Sequence, residues 1–399
     1  MAAVFLSPLY LLLNAYLVFR MLQWFRTLSG FMGTLWFVVP FLAFYILLCL
    51  TPLTAVLFHG RLQILTRRIS NYWLGILMYF LILLFTSDLI WLIYCLIRKQ
   101  TIFQAPPAGI LRIGGGIVFF CVLAISVCGI CHASHIKKTF YEVTVDKPSD
   151  LSRLRIALVA DLHLGCNVDN RLVKKMTAAV NSIRPDLIIF AGDTFDNDFD
   201  SIDHPEEILR TLRQMRSTYG AWACWGNHDI SEKILAGFTF SSGDSTIGSD
   251  PRMDQFLKDA GIRLLEDESI QFGQSFTLTG RLDRSWAARS GLPRKTPAQL
   301  AKLIDRRLPS IVIDHQPAEF GQLSAAGFDL DLSGHTHDGQ IFPSTIFTRI
   351  GWKNSYGIHQ EGTFTSIVTS GAGVWGPAMR LGTHNEVAEI LVNFHEAKP

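Results

Sequence analysis

The spacing of apolar residues divides the chain into two unlike halves. Before about residue 135 the apolar positions run together in blocks that hold few charges. Four blocks stand out: residues 4–25, interrupted by Arg20; 31–58, with Pro40 and Pro52 as kinks or ends; 72–97; and 113–130. Each has roughly the 20 apolar residues that a helix needs to cross a bilayer. The first block is too long for a secretory signal and lacks a small-residue cleavage site, so it reads as a retained helix. Trp24, Trp36, Trp73 and Trp91 fall mostly near block ends, where interfacial anchors belong. The expectation is a multi-pass helical membrane domain over residues 1–134. A polar juxtamembrane linker follows at 135–153, and its residues 137–141 are able to begin an edge strand.

Beyond the linker the pattern takes on shorter periods. Residues 154–160 form an apolar run of strand length. Asp169 then caps a helical pattern to about residue 183, with Leu172, Val173, Met176, Val180 and Ile183 on one face. Residues 187–191 read as a second strand, 205–215 as a helix and 221–225 as a third strand. This rhythm predicts parallel strands flanked by helices. The Ser- and Gly-rich stretch 231–250 reads as a loop able to cover a site. Asp250, Pro251 and Gly261 bracket a short helix. Residues 271–279 alternate as one strand, 285–295 are polar and read as mobile, Thr296 and Pro297 open a helix to about 306, and 310–313 form another strand. The end of the chain is β-rich at 365–369 and 386–392. The predicted fold class is an N-terminal α-helical membrane domain of about four spans plus an α/β domain over 154–399, its two β-sheets packed as a sandwich flanked by helices.

Composition sharpens this picture in three places. The hydrophobic fraction of 49% over 399 residues is an average of two different halves. The net charge of +2 gives no reason to expect a nucleic-acid partner. Five of the seven cysteines lie in apolar segments, which is no disulfide framework, and Cys128-x-x-Cys131 sits inside an apolar run without a second pair. If the N-terminus lies inside, Arg61, Arg67, Arg68, Lys137 and Lys138 flank the inner side and Arg20, Arg26, Arg98, Lys99 and Arg112 the outer. Five against five assigns no membrane face to the second half. The expected location is an integral multi-pass protein of a plasma or inner membrane. Asp88, inside the third block, reads either as a hydrogen bond to a neighbouring helix or as an ion-handling group.

The chemistry lies where the strands end. In order, the chain presents Asp161-Leu162-His163, Gly192-Asp193-Thr194-Phe195-Asp196, Gly226-Asn227-His228-Asp229, Asp314-His315-Gln316-Pro317 and Gly334-His335-Thr336-His337-Asp338. In sheets of parallel strands, reactive groups gather at that edge. Taken singly, Asp161 would cap a turn and His228 or His315 would be a core histidine. Taken together they are hard carboxylates and borderline imidazoles, the donor set suited to two divalent ions. Such a pair lowers the pKa of a bound water and neutralises phosphoryl oxygens in the transition state. Cysteine is not needed, so Mn, Zn or Fe all suit. Cys166 and Cys224 flank the motifs and read as packing residues. Arg281 and Arg380 read equally as phosphate contacts or as salt bridges.

This ordered set resembles the calcineurin-like metallophosphoesterase superfamily, with its D-x-H, G-D-x-x-D, G-N-H-[DE], lone H and G-H-x-H elements. The resemblance covers about residues 154–392. It implies that Asp161, His163 and His337 hold one metal, that Asn227, His315 and His335 hold the other, and that Asp193 bridges them. It implies a metal-bridging hydroxide as nucleophile, with His228 stabilising or protonating the leaving oxygen and Asp196 orienting His228. Asn197 stands where protein phosphatases of this superfamily have arginine, which argues against a phosphoprotein substrate. The last motif is more similar to the bacterial membrane-associated branch, which includes enzymes cleaving the pyrophosphate of UDP-diacylglucosamine; most members have glycine where Asp338 stands. The function this implies is hydrolysis of a phosphoester or pyrophosphate, with a phosphorylated small molecule or lipid-linked substrate and membrane lipid as partners. The alternative is a membrane receptor or regulator whose domain binds a phosphorylated ligand without turnover. A transporter with a catalytic appendage would rest on Asp88 alone.

Overall fold

The computed structural model describes residues 2–53, 57–101, 105–235, 238–240 and 248–396. The chain forms two compact units. One comprises residues 1–129 with 233–240, and the other 130–232 with 241–399.

The first unit is helical. Ala2–Leu28, Leu35–Leu50, Arg61–Arg98 and the helix Ala108–Ala133, whose last turn falls in the second unit, correspond to the four predicted blocks, the second in part; its residues 54–56 lie outside the described residues. Among the described residues, three segments are long and apolar enough to cross a membrane: Leu35–Leu53, Arg61–Arg98 and Ala108–Ala133. The first helix carries Asn14, Arg20, Gln23 and Arg26 among its apolar residues and is not one of the three. At about 1.5 Å per residue, the 38-residue helix Arg61–Arg98 outruns a hydrocarbon layer of about 30 Å; Arg61, Arg67 and Arg68 all fall in its first eight positions. Asp88 accepts from Tyr16 Oη at 2.6 Å and pairs with Arg20 at 2.8 Å, so a neighbouring helix satisfies it.

The second unit is built on two six-stranded sheets. Its strands are β1 (Ile136–Ser149), β2 (Arg153–Val159), β3 (Leu187–Ala191) and β4 (Ala221–Cys224), then β7 (Ile262–Leu264), β8 (Glu268–Phe272), β9 (Phe276–Gly280), β10 (Ser310–Ile313), β11 (Leu330–Ser333), β12 (Gly357–Glu361), β13 (Phe364–Val368) and β14 (Asn385–Glu396). The hairpin of β5 (Lys233–Leu235) and β6 (Phe238–Phe240) clusters with the first unit. The rest of the predicted loop 231–250 includes residues 236–237 and 241–247, which lie outside the described residues.

One sheet has the order β1-β14-β2-β3-β4-β7 and the other β12-β13-β11-β10-β9-β8. Both are mixed: β2-β3-β4-β7 and β9-β10-β11-β13 run parallel, with antiparallel pairings at β14/β2, β12/β13 and β8/β9. Ile156, Leu158, Leu187 and Ile189 of one sheet share a core with Leu278, Ile311, Ile313 and Leu332 of the other. β3 (Leu187–Ala191) is apolar along its whole length because a helix or the opposite sheet covers each face. The helix Asn170–Ile183 begins at Asp169, whose carboxylate accepts from Arg171 and Leu172 N–H, as the pattern predicted. Its buried stripe is Leu172, Val173, Met176, Val180 and Ile183.

Four expectations are corrected. The stretch predicted as a linker at 135–153 is mostly the edge strand β1, paired in parallel with β14 from Ile136 to Ser149 with a register shift between Val145 and Pro148. The single strand predicted at 271–279 is the hairpin β8/β9, because Gly273 takes a left-handed turn (φ 58°) that reverses the chain. The mobile stretch predicted at 285–295 begins as the helix Arg284–Ser290, which Asp283 caps through Trp286 N–H at 2.8 Å. The helix predicted to run to 306 is one turn, Pro297–Leu300, held by a capping box of Thr296 and Gln299.

Candidate metal centre

The predicted ligands converge at the C-terminal ends of the parallel strands. Asp161 and His163 follow β2, Asp193 follows β3, Asn227 and His228 follow β4, His315 follows β10, and His335 and His337 follow β11. The chain must turn sharply to aim side chains from these ends back over the sheet edge. Asp161, His163, Asp193, His335 and His337 accordingly all have positive φ, between 47° and 72°. Asp and His tolerate that region better than most residues, and such strain collects at functional sites. Two glycines let the loops close. A Cβ on Gly226 would lie 2.2 Å from Asp193 Oδ1, and one on Gly334 would lie 2.6 Å from Asp161 Oδ2.

Among the described residues, three groups of donors result. Asp161, His163 and His337 form the first and Asp193, His315 and His335 the second; His163, Asp196 and His228 form a third that shares His163 with the first. Asn227 joins the second, its Oδ1 3.1 Å from His315 Nε2. His163 Nε2 and His337 Nε2 are 3.1 Å apart, and His335 Nδ1 and His315 Nε2 are 3.2 Å apart. Asp193 reaches the first group as well as its own: its Oδ2 is 3.0 Å from His315 Nε2 and 3.8 Å from His163 Nε2. Lone-pair donors packed this closely, in a buried pocket with oxygen and nitrogen ligands only, fit divalent cations.

The electrostatics follow from burial. It pushes the Asp161 carboxyl up to about 6, the His228 ring down to about 4 and the His335 ring down to about 3. His315 and Asp193 answer to each other. Burial opposes both charges, yet each partner's charge wins, holding His315 well above and Asp193 well below their ordinary ranges. Outside the ligands, burial keeps the Cys224 thiol well above its usual value, which fits packing and not nucleophilic attack.

Several placements were not legible in the sequence. Asp196, expected to orient His228, lies 3.7 Å from His163 Nδ1. The close partner of the His228 ring is the next residue, Asn197, whose Oδ1 is 2.5 Å from His228 Nδ1. Asn197 Nδ2 donates to Ile230 O at 3.1 Å, which fixes the amide so that Oδ1 faces the ring. The signal was present as the residue standing in place of the phosphatase arginine. Asp229 clamps two loops by accepting from Phe195 N–H and Gly226 N–H. Arg281 and Arg380 are both fully buried and face protein groups in place of a phosphate. Arg281 pairs with Asp314 and Glu319, while Arg380 donates to the carbonyls of His337, Ser370 and Gly373.

Comparison with known proteins agrees with this geometry. Residues 154–339 match the family model for calcineurin-like phosphoesterases, so the chain carries a metallophosphoesterase domain of that hydrolase family. A metallophosphoesterase of Campylobacter jejuni is 28% identical over 64% of this chain and 63% of its own length. A transmembrane protein with a metallophosphoesterase domain from Danio rerio is 25% identical over 67% of this chain and 60% of its own. The chain thus spans about three fifths of the length of these two relatives. A UDP-2,3-diacylglucosamine pyrophosphatase of Chlamydia trachomatis is 24% identical over 57% of this chain and 80% of its own length.

Proposed function

We propose that the protein is a membrane-anchored hydrolase of phosphoester or phosphoanhydride bonds that works with two divalent metals on a lipid-linked or membrane-borne substrate. The observation that carries the metal count is Asp193 Oδ2, one carboxylate oxygen within 3.8 Å of imidazoles from two separate donor groups. Asp161, His163 and His337 would hold one ion, and Asn227, His315 and His335 the other, with Asp193 between. When bound, the pair supplies an activated water and charge neutralisation at the phosphoryl oxygens.

The chain's own residues do the rest. Asn197 holds His228 with its proton on Nδ1, leaving Nε2 for the substrate. The negative charge of an arriving phosphoryl group favours the doubly protonated ring, and Nε2–H then protonates the departing oxygen. Trp375, 5.7 Å from His228, and Trp352, 5.0 Å from His335, flank the ligands with apolar surface.

We count the first helix as a fourth span. Its Arg20 is paired with Asp88 of the third helix, which lowers the cost of burying either charge in lipid. Anchoring a catalytic domain at a membrane raises its encounter rate with membrane-borne substrates. The similarity to a pyrophosphatase of a lipid precursor supports the same class. The test is hydrolysis by the detergent-solubilised full chain of an aryl phosphomonoester, an aryl phosphodiester and a nucleotide-linked lipid pyrophosphate. Turnover of the lipid pyrophosphate far above the aryl esters is expected. Turnover of the aryl esters alone would contradict the lipid assignment while leaving the enzyme, and turnover of none would contradict both.

A further inference from the structure

Directly after the last metal-ligand motif, the short helix Ser344–Gly351 presents large apolar side chains to solvent. Ile346 is 48% exposed, Phe347 70% and Ile350 79%. At positions i, i+1 and i+4 they share one face. Single exposed apolar residues are ordinary; a cluster of three on one helix face, two of them the most exposed large apolar residues among those described in the second unit, is what marks an interaction surface.

The helix is fastened to the metal centre. Arg349 reaches back to both carboxylate oxygens of Asp338, the neighbour of His337, at 3.3 Å. Trp352, just beyond the helix, packs edge-on against His335 with ring centroids 5.0 Å apart.

The helix is also fastened to the place where the last apolar segment ends. Phe342 N–H donates to Leu381 O at 2.9 Å, and Gln340 O accepts from Thr383 Oγ1 at 2.5 Å. Asn385, the first residue of β14 at the end of the same loop, donates through Nδ2 to Ala133 O at 2.7 Å. Ala133 is the final residue of the apolar helix Ala108–Ala133, and β1 begins three residues later. One stretch, 380–385, therefore carries the exit of an apolar segment, the buried Arg380 that holds His337, and the support for the exposed apolar helix.

We propose that the helix Ser344–Gly351 seats on the bilayer, with Ile346, Phe347 and Ile350 in the interfacial layer beside the mouth of the metal centre. A bilayer fits better than a second copy of the chain because the patch stands on the loop that receives the chain from an apolar segment. Arg349, 61% exposed in its side chain, and the tryptophan at its end suit an interface of headgroups over acyl chains. The consequence is that a phosphoester carried on a lipid reaches the donor groups without leaving the membrane.

The proposal rests on the membrane-anchored reading, and the test separates the two. The photo-crosslinking residue p-benzoylphenylalanine replaces Phe347, Ile350 or, as a control, Arg307, whose side chain is 87% exposed elsewhere on the domain. The full chain is reconstituted into vesicles of phosphatidylcholine and phosphatidylglycerol containing a biotin-tagged phospholipid, floated on a gradient and illuminated. Biotin on the chain at positions 347 and 350, and its loss at 307, is expected. A chain that floats but gains no biotin at 347 or 350, or that crosslinks there to another copy of itself, overturns the seating helix and leaves the anchor standing. A chain that does not float overturns both.

Discussion

His228 Nδ1 lies 2.5 Å from Asn197 Oδ1, and the side-chain amide that makes this contact is itself pinned by Ile230 O. This pair sets the tautomer of the proposed proton donor and aims its other nitrogen at the substrate. Replacing Asn197 by Ala should lower kcat about tenfold or more with little change in KM, and His228→Ala should cost about 10²–10⁴-fold. Because the two act as a unit, the double variant should be no slower than His228→Ala alone. Additive losses in steady-state kinetics would separate the two residues and remove the positioning role.

Arg380 connects His337, one of the proposed metal ligands, to the body of the domain. Its guanidinium donates to three carbonyls, including that of His337, and its Nε reaches Asn385. Lysine has one ammonium in place of that planar fork. Arg380→Lys should weaken metal affinity about 10–100-fold, as loss of a ligand's supporting partner typically does. The readout is a rightward shift of the manganese activation curve with the maximal rate largely kept. An unchanged curve would show that His337 needs no such support.

Asp331 is buried on the face of β11 turned away from the core that the two sheets share, and it accepts from Ser333 Oγ and Ser366 Oγ. Burial pushes its carboxyl up to about 7. The folded value thus lies above the unfolded value of about 3.9. The stabilising contribution is full below pH 4 and is lost as pH rises to 7, with a slope of at most about 1.4 kcal/mol per pH unit. Asp331→Asn lacks this titration. The Tm of the unsubstituted protein should therefore fall relative to the variant between pH 4.5 and 7.5. Parallel Tm curves would mean that the carboxyl is ionised throughout.

The sequence disclosed the strands that end at the motifs, because they depend on local signals. Apolar runs such as 187–191 and 310–313 match β3 and β10 residue for residue, and each ends at a motif. What it concealed depends on contacts distant in sequence. Asp196 and Asn197 are neighbours, and only the fold shows which of them meets Nδ1 of His228, 31 residues on. Arg281 and Arg380 carry the charge of phosphate ligands, and only their full burial beside Asp314 and the His337 carbonyl reveals structural partners. The segment 136–149 was polar enough to pass for a linker because an edge strand buries only part of its length.

The central claim is a centre of two metals joined by Asp193. Its most direct test is metal content and turnover measured together, on detergent-solubilised full chain stripped of metal and titrated with manganese. Two ions bound per chain are predicted, with hydrolysis appearing only as the second binds. Asp193→Asn should retain the circular-dichroism spectrum of the unsubstituted chain while losing both the second ion and turnover. Full turnover with one ion, or an Asp193→Asn variant as active as the unsubstituted chain, would contradict the account.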